Sequence, residues 1–319
     1  MARFTLEEAP EEPTKKYFSR RGCVSHMKDV IIKEFGILPL EIKKLNGYEN
    51  ENYLIKTEET RYIFKTYPAA KNTMSLLNAE CDALLHLQND KPSKTPAPIP
   101  FLSGEYVKTI ELESTTKCCR MLSFLPGIFL GETDPNQTLI GNLGTFLAGV
   151  NKKLDRFDSD AIRARNYEWD LQNLKLNRKY ISAVSDPKQR RVVSYFFQKF
   201  DLLVAPSIPE LRKAYIHSDF NEWNVLVDGD KAIGLIDFGD MVYSPLVNEV
   251  ATALCYLSYD KDSFFDWTTP FLQAYHKIIP LNKKEVGLLY YLIATKLCIS
   301  VCQSANARVL QPENDYASV

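Results

Sequence analysis

The run Ile216-His217-Ser218-Asp219-Phe220-Asn221-Glu222-Trp223-Asn224-Val225-Leu226-Val227-Asp228-Gly229-Asp230-Lys231-Ala232-Ile233-Gly234-Leu235-Ile236-Asp237-Phe238-Gly239-Asp240 holds two short apolar segments joined by Asp-Gly. That pattern predicts a β-hairpin, because a tight turn needs residues that tolerate positive φ. Asn224 stands just before the first strand and Asp237 just after the second. A hairpin brings its open ends together, with facing residues about 5 Å apart. Two oxygen-bearing side chains therefore meet at one end. A hard cation such as Mg²⁺ takes a few such oxygens at about 2.1 Å and fills its shell from water and phosphates. Asp219, five residues before Asn224, lies on the loop entering the same end and could accept a proton from an attacking hydroxyl. Taken singly, Asp219 and Asn224 also read as turn residues and Asp237 as a cap. The ordered set around one hairpin favours chemistry.

Working outward, Lys65 alternates with Ile63 and Arg61 on a predicted strand. Glu80 falls inside the apolar stripe Leu76, Leu77, Ala83, Leu84, Leu87 of the helix that follows. A carboxylate on a core-facing stripe is costly unless paired. Lys65 is the expected partner, and such a pair would present the ammonium to nucleotide phosphates. Alone, the two also read as an ordinary half-buried ion pair. Ser123-Phe124-Leu125, before Pro126-Gly127, could offer strand-edge N–H and C=O groups to a purine, or be a plain linker.

The rest of the chain orders itself around these points. Glu7–Lys16 reads as a loose lead-in. A helix is expected over 24–35. An antiparallel meander follows over 40–45, 52–57 and 61–67, then a helix over 75–88, a Pro-rich connector over 91–100, and strands over 106–111 and 117–124. Beyond Pro126-Gly127, helices are expected over 138–154, 168–180, 189–203, from Leu246, over 262–276 and over 284–303. The expectation is α+β: a small antiparallel sheet lobe with one helix over 1–125, and a larger, mainly helical lobe over 126–319.

Composition excludes other classes. Lys plus Arg total 39 against 40 Asp plus Glu, a net charge of −1, so no basic excess is present for a nucleic-acid backbone. No like-charge block marks a membrane-surface patch. Gly287–Cys302, the longest apolar stretch, reads as too short for a membrane span and is interrupted by Lys296. The first ten residues lack the apolar core of a secretory signal. Seven cysteines without framework spacing suit a reducing cytoplasm, with Cys298 and Cys302 as core thiols rather than metal ligands.

His217-x-Asp219-x-x-x-x-Asn224 with Ile236-Asp237-Phe238-Gly239-Asp240 resembles the aminoglycoside phosphotransferase and choline kinase superfamily, over nearly the whole chain. Ile236-Asp237-Phe238-Gly239-Asp240-Met241-Val242-Tyr243 with Glu249-Val250-Ala251 is similar to the hydroxylysine kinase branch, and to the kinase portion of kinase–aminotransferase fusions. Ser300-Val301-x-x-Ser304-Ala305 with Pro312-Glu313-Asn314-x-Tyr316 resembles the end of that portion. The resemblance implies a two-lobed protein-kinase-like fold. It implies Asp219 as catalytic base, Asn224 and Asp237 as Mg²⁺ ligands, Lys65 with Glu80 on phosphate, Ser123–Leu125 as the base-reading hinge, and His217 as a structural support for the loop. ATP or GTP would be the donor, and coupling to an aminotransferase-type domain is implied.

Two departures separate the chain from protein kinases. The loop Asn46-Gly47-Tyr48-Glu49-Asn50-Glu51 has one glycine, and no Ala-Pro-Glu follows Asp237. Protein substrates are therefore not expected; the resemblance to hydroxylysine kinases implies a small hydroxylated amine or amino acid as acceptor, with Asp240, Glu222 and Glu249 as candidates to meet its amine. Asp240 and Glu249 also read as helix caps. Aminoglycoside, homoserine and choline are alternative acceptors. An inactive nucleotide-binding module is the alternative of another class, and the presence of Lys65, Asp219 and Asp237 argues against it.

Overall fold

A computed structural model describes residues 17–45, 50–89, 94–112, 114–259 and 261–310. The lead-in over 7–16, most of the single-glycine loop and the Pro312–Tyr316 motif lie outside the described residues. In chain order the first elements are α1 (Tyr17–Phe35), β1 (Glu41–Leu45), β2 (Glu51–Lys56), β3 (Arg61–Pro68), α2 (Thr73–Leu87), β4 (Pro98–Ile99), β5 (Lys108–Leu112) and β6 (Thr115–Ser123). Then come β7 (Ile128–Phe129), α3 (Gln137–Leu154), α4 (Asp160–Arg163), α5 (Pro187–Lys199), β8 (Lys213–Ile216), β9 (Val225–Asp228), β10 (Lys231–Leu235), β11 (Val242–Pro245), α6 (Leu246–Ser258), α7 (Phe264–Ile278) and α8 (Lys283–Leu310).

The chain forms two compact units, Met1–Ala69 with Pro100–Met121, and Ala70–Ile99 with Leu122–Val319. In the first, β1, β2 and β3 make the expected antiparallel meander, with Ile42 opposite Ile55 and Tyr53 opposite Phe64. β6 lies beside β3, and β5 pairs with β6. Alternation sends Tyr53, Ile55 and Phe64 inward, where Phe35 of α1 meets Phe64 edge-on at 6.0 Å and Phe101 at 4.3 Å.

The second unit has one large core. Ala79, Ala83, Leu84 and Leu87 of α2 pack into it, which is why α2 groups with the helical unit rather than with the sheet it follows. Gly144 of α3 lets that helix meet α7 closely: a Cβ there would lie 2.2 Å from the Phe271 carbonyl oxygen. Among the differences between expectation and structure, three stand out. Residues 171–183 form a 3₁₀ segment capped by Asp170, not an α-helix. β11, absent from the sequence reading, pairs with β8, placing Tyr243 opposite Tyr215. α8 runs for 28 residues and is long and apolar enough to cross a membrane by length and composition. Its inward residues, including Leu292, Cys298, Ile299 and Cys302, are buried in the core of this unit.

Candidate functional site

The hairpin forms as expected. β9 and β10 pair antiparallel, with Val225 opposite Leu235, Asp228 opposite Lys231, and a bulge at Ile233. Gly229 takes the positive φ of the turn, 53°. One further bond, Ile236 N–H to Asn224 O at 2.9 Å, closes the open end, so the backbone at Asn224 adjoins the residue before Asp237. Asp237 has φ 59° and Ser218 φ 69°. Left-handed backbone costs a non-glycine residue about 1–3 kcal/mol and persists only where the surroundings fix it. Both residues border this one loop.

Within the loop, polar side chains converge on Asp219. Asn224 Nδ2 donates to Asp219 Oδ2 at 2.7 Å and to the Asp219 carbonyl at 2.9 Å. Asn221 Nδ2 donates to the same Oδ2 at 2.9 Å. Its Oδ1 accepts from the backbone N–H of Trp223 and Asn224, at 2.8 and 3.1 Å. Asn221 thus organises the loop, a role the sequence reading missed because an Asn in a loop carries no periodic signal. Asn224 spends both amide hydrogens on Asp219, which leaves its Oδ1 as the atom suited to a cation. With the carboxylate of Asp237, two hard oxygen donors stand at the hairpin mouth, a donor set that fits Mg²⁺ completed by nucleotide oxygens.

Behind the loop the support is buried. Glu249, fully buried in the first turn of α6, accepts the backbone N–H of His217 at 3.2 Å on Oε1 and of Ser218 at 2.7 Å on Oε2. Burial pushes its carboxyl up to about 7, opposed by those two N–H bonds. Both oxygens are thus committed to backbone, so Glu249 is a support of the loop and not an amine contact as expected. His217 is buried, its pKa lowered by desolvation, and the neutral ring fits one tautomer. Nε2–H donates to Ile236 O at 3.0 Å, while Nδ1 accepts the Asp219 N–H at 3.3 Å. Its ring meets Phe238 edge-on at 4.7 Å. It ties the loop at Asp219 to the chain at Ile236.

Lys296, noted in the sequence only for interrupting an apolar stretch, is buried on α8. Its Nζ lies 3.5 Å from Ser218 O and over the rings of Trp169 and Tyr256, at 5.2 and 5.8 Å. Burial raises the Asp219 carboxyl, and the Lys296 charge is the leading influence that lowers it again. Asp240 is half-buried and accepts from the Tyr167 hydroxyl at 2.6 Å on Oδ1. Burial first, and the Asp219 charge second, push it up to about 6. Glu222 is half-buried and raised by desolvation. Its carbonyl accepts the Gly131 N–H at 2.9 Å.

Lys65 is buried on β3 of the first unit, and Glu80 is buried on α2 of the second. The expected strand edge at Ser123 is partly used: its N–H donates to Ala97 O and its Oγ accepts the Ala97 N–H, both at 2.8 Å. Leu125 sits against Gly234, where an added Cβ would lie 3.3 Å from its Cδ1. The Ser123 N–H, committed to Ala97, is not available to a purine.

Residues 41–283 match the family model described as the phosphotransferase enzyme family. The chain is 22% identical over 306 residues to hydroxylysine kinase of Danio rerio, covering 91% of this chain and 86% of that protein. It is 26% identical over 311 residues to hydroxylysine kinase of Mus musculus, covering 88% and 81%. Among solved structures, an amicoumacin kinase bound to AMP-PNP and Ca²⁺ shares the fold, with a TM-score of 0.72 and 16% identity over 96% of this chain and 92% of that one. The α+β, protein-kinase-like architecture expected from the sequence is the one observed. With a carboxylate, an asparagine and an aspartate gathered at one hairpin mouth and the family model spanning most of its length, the chain belongs to the phosphotransferase enzyme family and is a small-molecule kinase.

Proposed function

We propose that this kinase transfers the γ-phosphoryl group of a nucleoside triphosphate to the hydroxyl of a small amine-bearing amino acid, with Mg²⁺ held by Asn224 and Asp237. The observation that carries the reading is the clasp on Asp219: one carboxylate oxygen accepts from both Asn221 and Asn224. The other is left to accept a proton from the acceptor hydroxyl. The hydroxyl oxygen then bonds to the γ-phosphorus while the bond to the β-phosphate oxygen breaks, and the nucleoside diphosphate leaves. Mg²⁺, when bound, would neutralise charge on the phosphate oxygens. Lys65 is assigned to phosphate. Phe124 and Leu125 are assigned to the base.

The hydroxylysine kinases among the relatives, and the carboxylate of Asp240 near Asp219, support an acceptor carrying an ammonium group. Asp240 would pair with it through a charge-assisted hydrogen bond. The test is a panel of hydroxylated amines, amino acids and matched neutral alcohols, with ATP and with GTP, reading diphosphate release. Hydroxylated amino acids such as 5-hydroxylysine are expected to turn over well and neutral alcohols poorly. Asp240→Asn should raise KM for the amine more than it lowers kcat. Equal activity on amine and neutral alcohol would overturn the acceptor assignment.

A further inference from the structure

Arg165 belongs to none of the functions assigned above. It is half-buried in the segment after α4. A single terminal nitrogen, Nη1, donates to the carbonyls of Gly239 and Met241, at 2.7 and 2.9 Å. The guanidinium carbon lies over the Tyr167 ring, 3.9 Å from its centroid. The hydroxyl of that same tyrosine is bonded to Asp240. Arg165 has no carboxylate partner within ion-pair distance among the described residues, whereas Arg163, two positions earlier, pairs with Asp158. Its Nε and Nη2 hydrogens, the side-on edge that grips a carboxylate in two parallel bonds, have no acceptor among the described residues.

Asp240 is the complementary half. Its Oδ1 is taken by Tyr167, and Oδ2 has no donor among the described residues. One tyrosine therefore spaces a fixed guanidinium from a fixed carboxylate, each with its recognition edge available, directly after the Asp237-Phe238-Gly239 turn. We propose that Arg165 and Asp240, held apart by Tyr167, read the two charged ends of an amino-acid acceptor: Arg165 takes the carboxylate and Asp240 the ammonium. This rests on the proposed kinase reading and narrows it to zwitterionic acceptors, excluding simple amino alcohols as good substrates. The contact with Tyr167 and the two carbonyl bonds hold the guanidinium in place before the acceptor arrives, so little side-chain freedom is lost on binding.

The experiment compares 5-hydroxylysine with its carboxamide, in which the anionic end is neutral and the hydroxyl and amines are unchanged. The native enzyme should show a KM for the carboxamide about 10- to 100-fold above that for the amino acid, the size of a two-bond charge-assisted contact. In Arg165→Met the ratio of the two KM values should collapse towards one. In Arg165→Lys, which keeps the charge but not the fork, it should fall part-way. Tyr167→Phe retains the ring under Arg165 and should leave the ratio standing. If Arg165→Met raises both KM values equally, or if the native enzyme does not distinguish the two acceptors, Arg165 merely clamps the 239–241 turn and the proposal is overturned. If neither compound releases diphosphate above the acceptor-free rate with the native enzyme, the acceptor reading itself fails, an outcome distinct from the first two.

Discussion

Glu249→Gln tests how the loop carrying Asp219 is held. The wild-type carboxylate accepts two buried backbone N–H groups, one on each oxygen. Glutamine keeps one acceptor oxygen and turns an NH₂ towards the other N–H, leaving a buried donor unmatched, which costs about 1–3 kcal/mol. The effect depends on pH in a definite direction. Burial raises the folded-state carboxyl from an ordinary 4.5 to about 7. The folded protein therefore binds the proton more tightly than the unfolded chain. The stability this brings is complete below the unfolded value and is lost as pH rises to the folded one. From those two values the contribution is worth about 2–3 kcal/mol at about pH 5 and almost nothing at about pH 8. The glutamine variant lacks that slope. It should be less stable than wild type by about 1–3 kcal/mol at pH ~5, and the gap should close or slightly invert by pH ~8. Turnover at pH ~8 should nevertheless fall by about tenfold or more, because the Ser218–Asp219 backbone loses an anchor. Urea unfolding of both proteins across this pH range, with kcat measured alongside, makes the comparison. A stability difference independent of pH, or unchanged turnover, would refute the reasoning.

Three further outcomes are expected. Gly144→Ala drives a Cβ to 2.2 Å from the Phe271 carbonyl oxygen, whereas Gly149→Ala on the same helix meets nothing within 4 Å. Chemical denaturation should show the first destabilised by about 1–3 kcal/mol or more and the second stabilised by up to about 1 kcal/mol; equal effects would mean the α3–α7 approach is wrong. Asp237→Ala should abolish Mg²⁺-dependent turnover and weaken nucleotide binding when Mg²⁺ is present, with little effect in chelator, as calorimetry would read directly. Lys296→Met removes the buried cation beside Ser218 and the rings of Trp169 and Tyr256, and should cost about 3–5 kcal/mol in unfolding experiments, because the buried carboxylates it offsets remain.

The hairpin and the convergence of Asn224 with the Asp237 end were legible in the sequence because strand period and turn chemistry are local. The meander, α2 and most helices were legible for the same reason. Glu80 was identified as buried because a charge inside an apolar stripe contradicts its surroundings. What was not legible depends on residues far apart in the chain. Val242-Tyr243-Ser244-Pro245 is too short to announce a strand, and becomes one because β8 lies beside it. Glu249 reads in the sequence as an amine contact or a helix cap, and only packing of α6 under the loop shows that both oxygens are used. Lys296 looked like a break in an apolar run, and its carbonyl and aromatic partners come from three other segments. Arg165 carried no pattern at all until Tyr167 and the 239–241 turn were set beside it.

The central claim is tested most directly by ³¹P NMR of a reaction containing the enzyme, ATP, Mg²⁺ and 5-hydroxylysine. The account predicts a new phosphomonoester resonance that grows in step with ADP, depends on the acceptor, and falls by about 10²–10⁴-fold in rate with Asp219→Asn, the usual size of a general-base contribution. Release of inorganic phosphate alone, or a phosphomonoester formed by Asp219→Asn at the native rate, would contradict it.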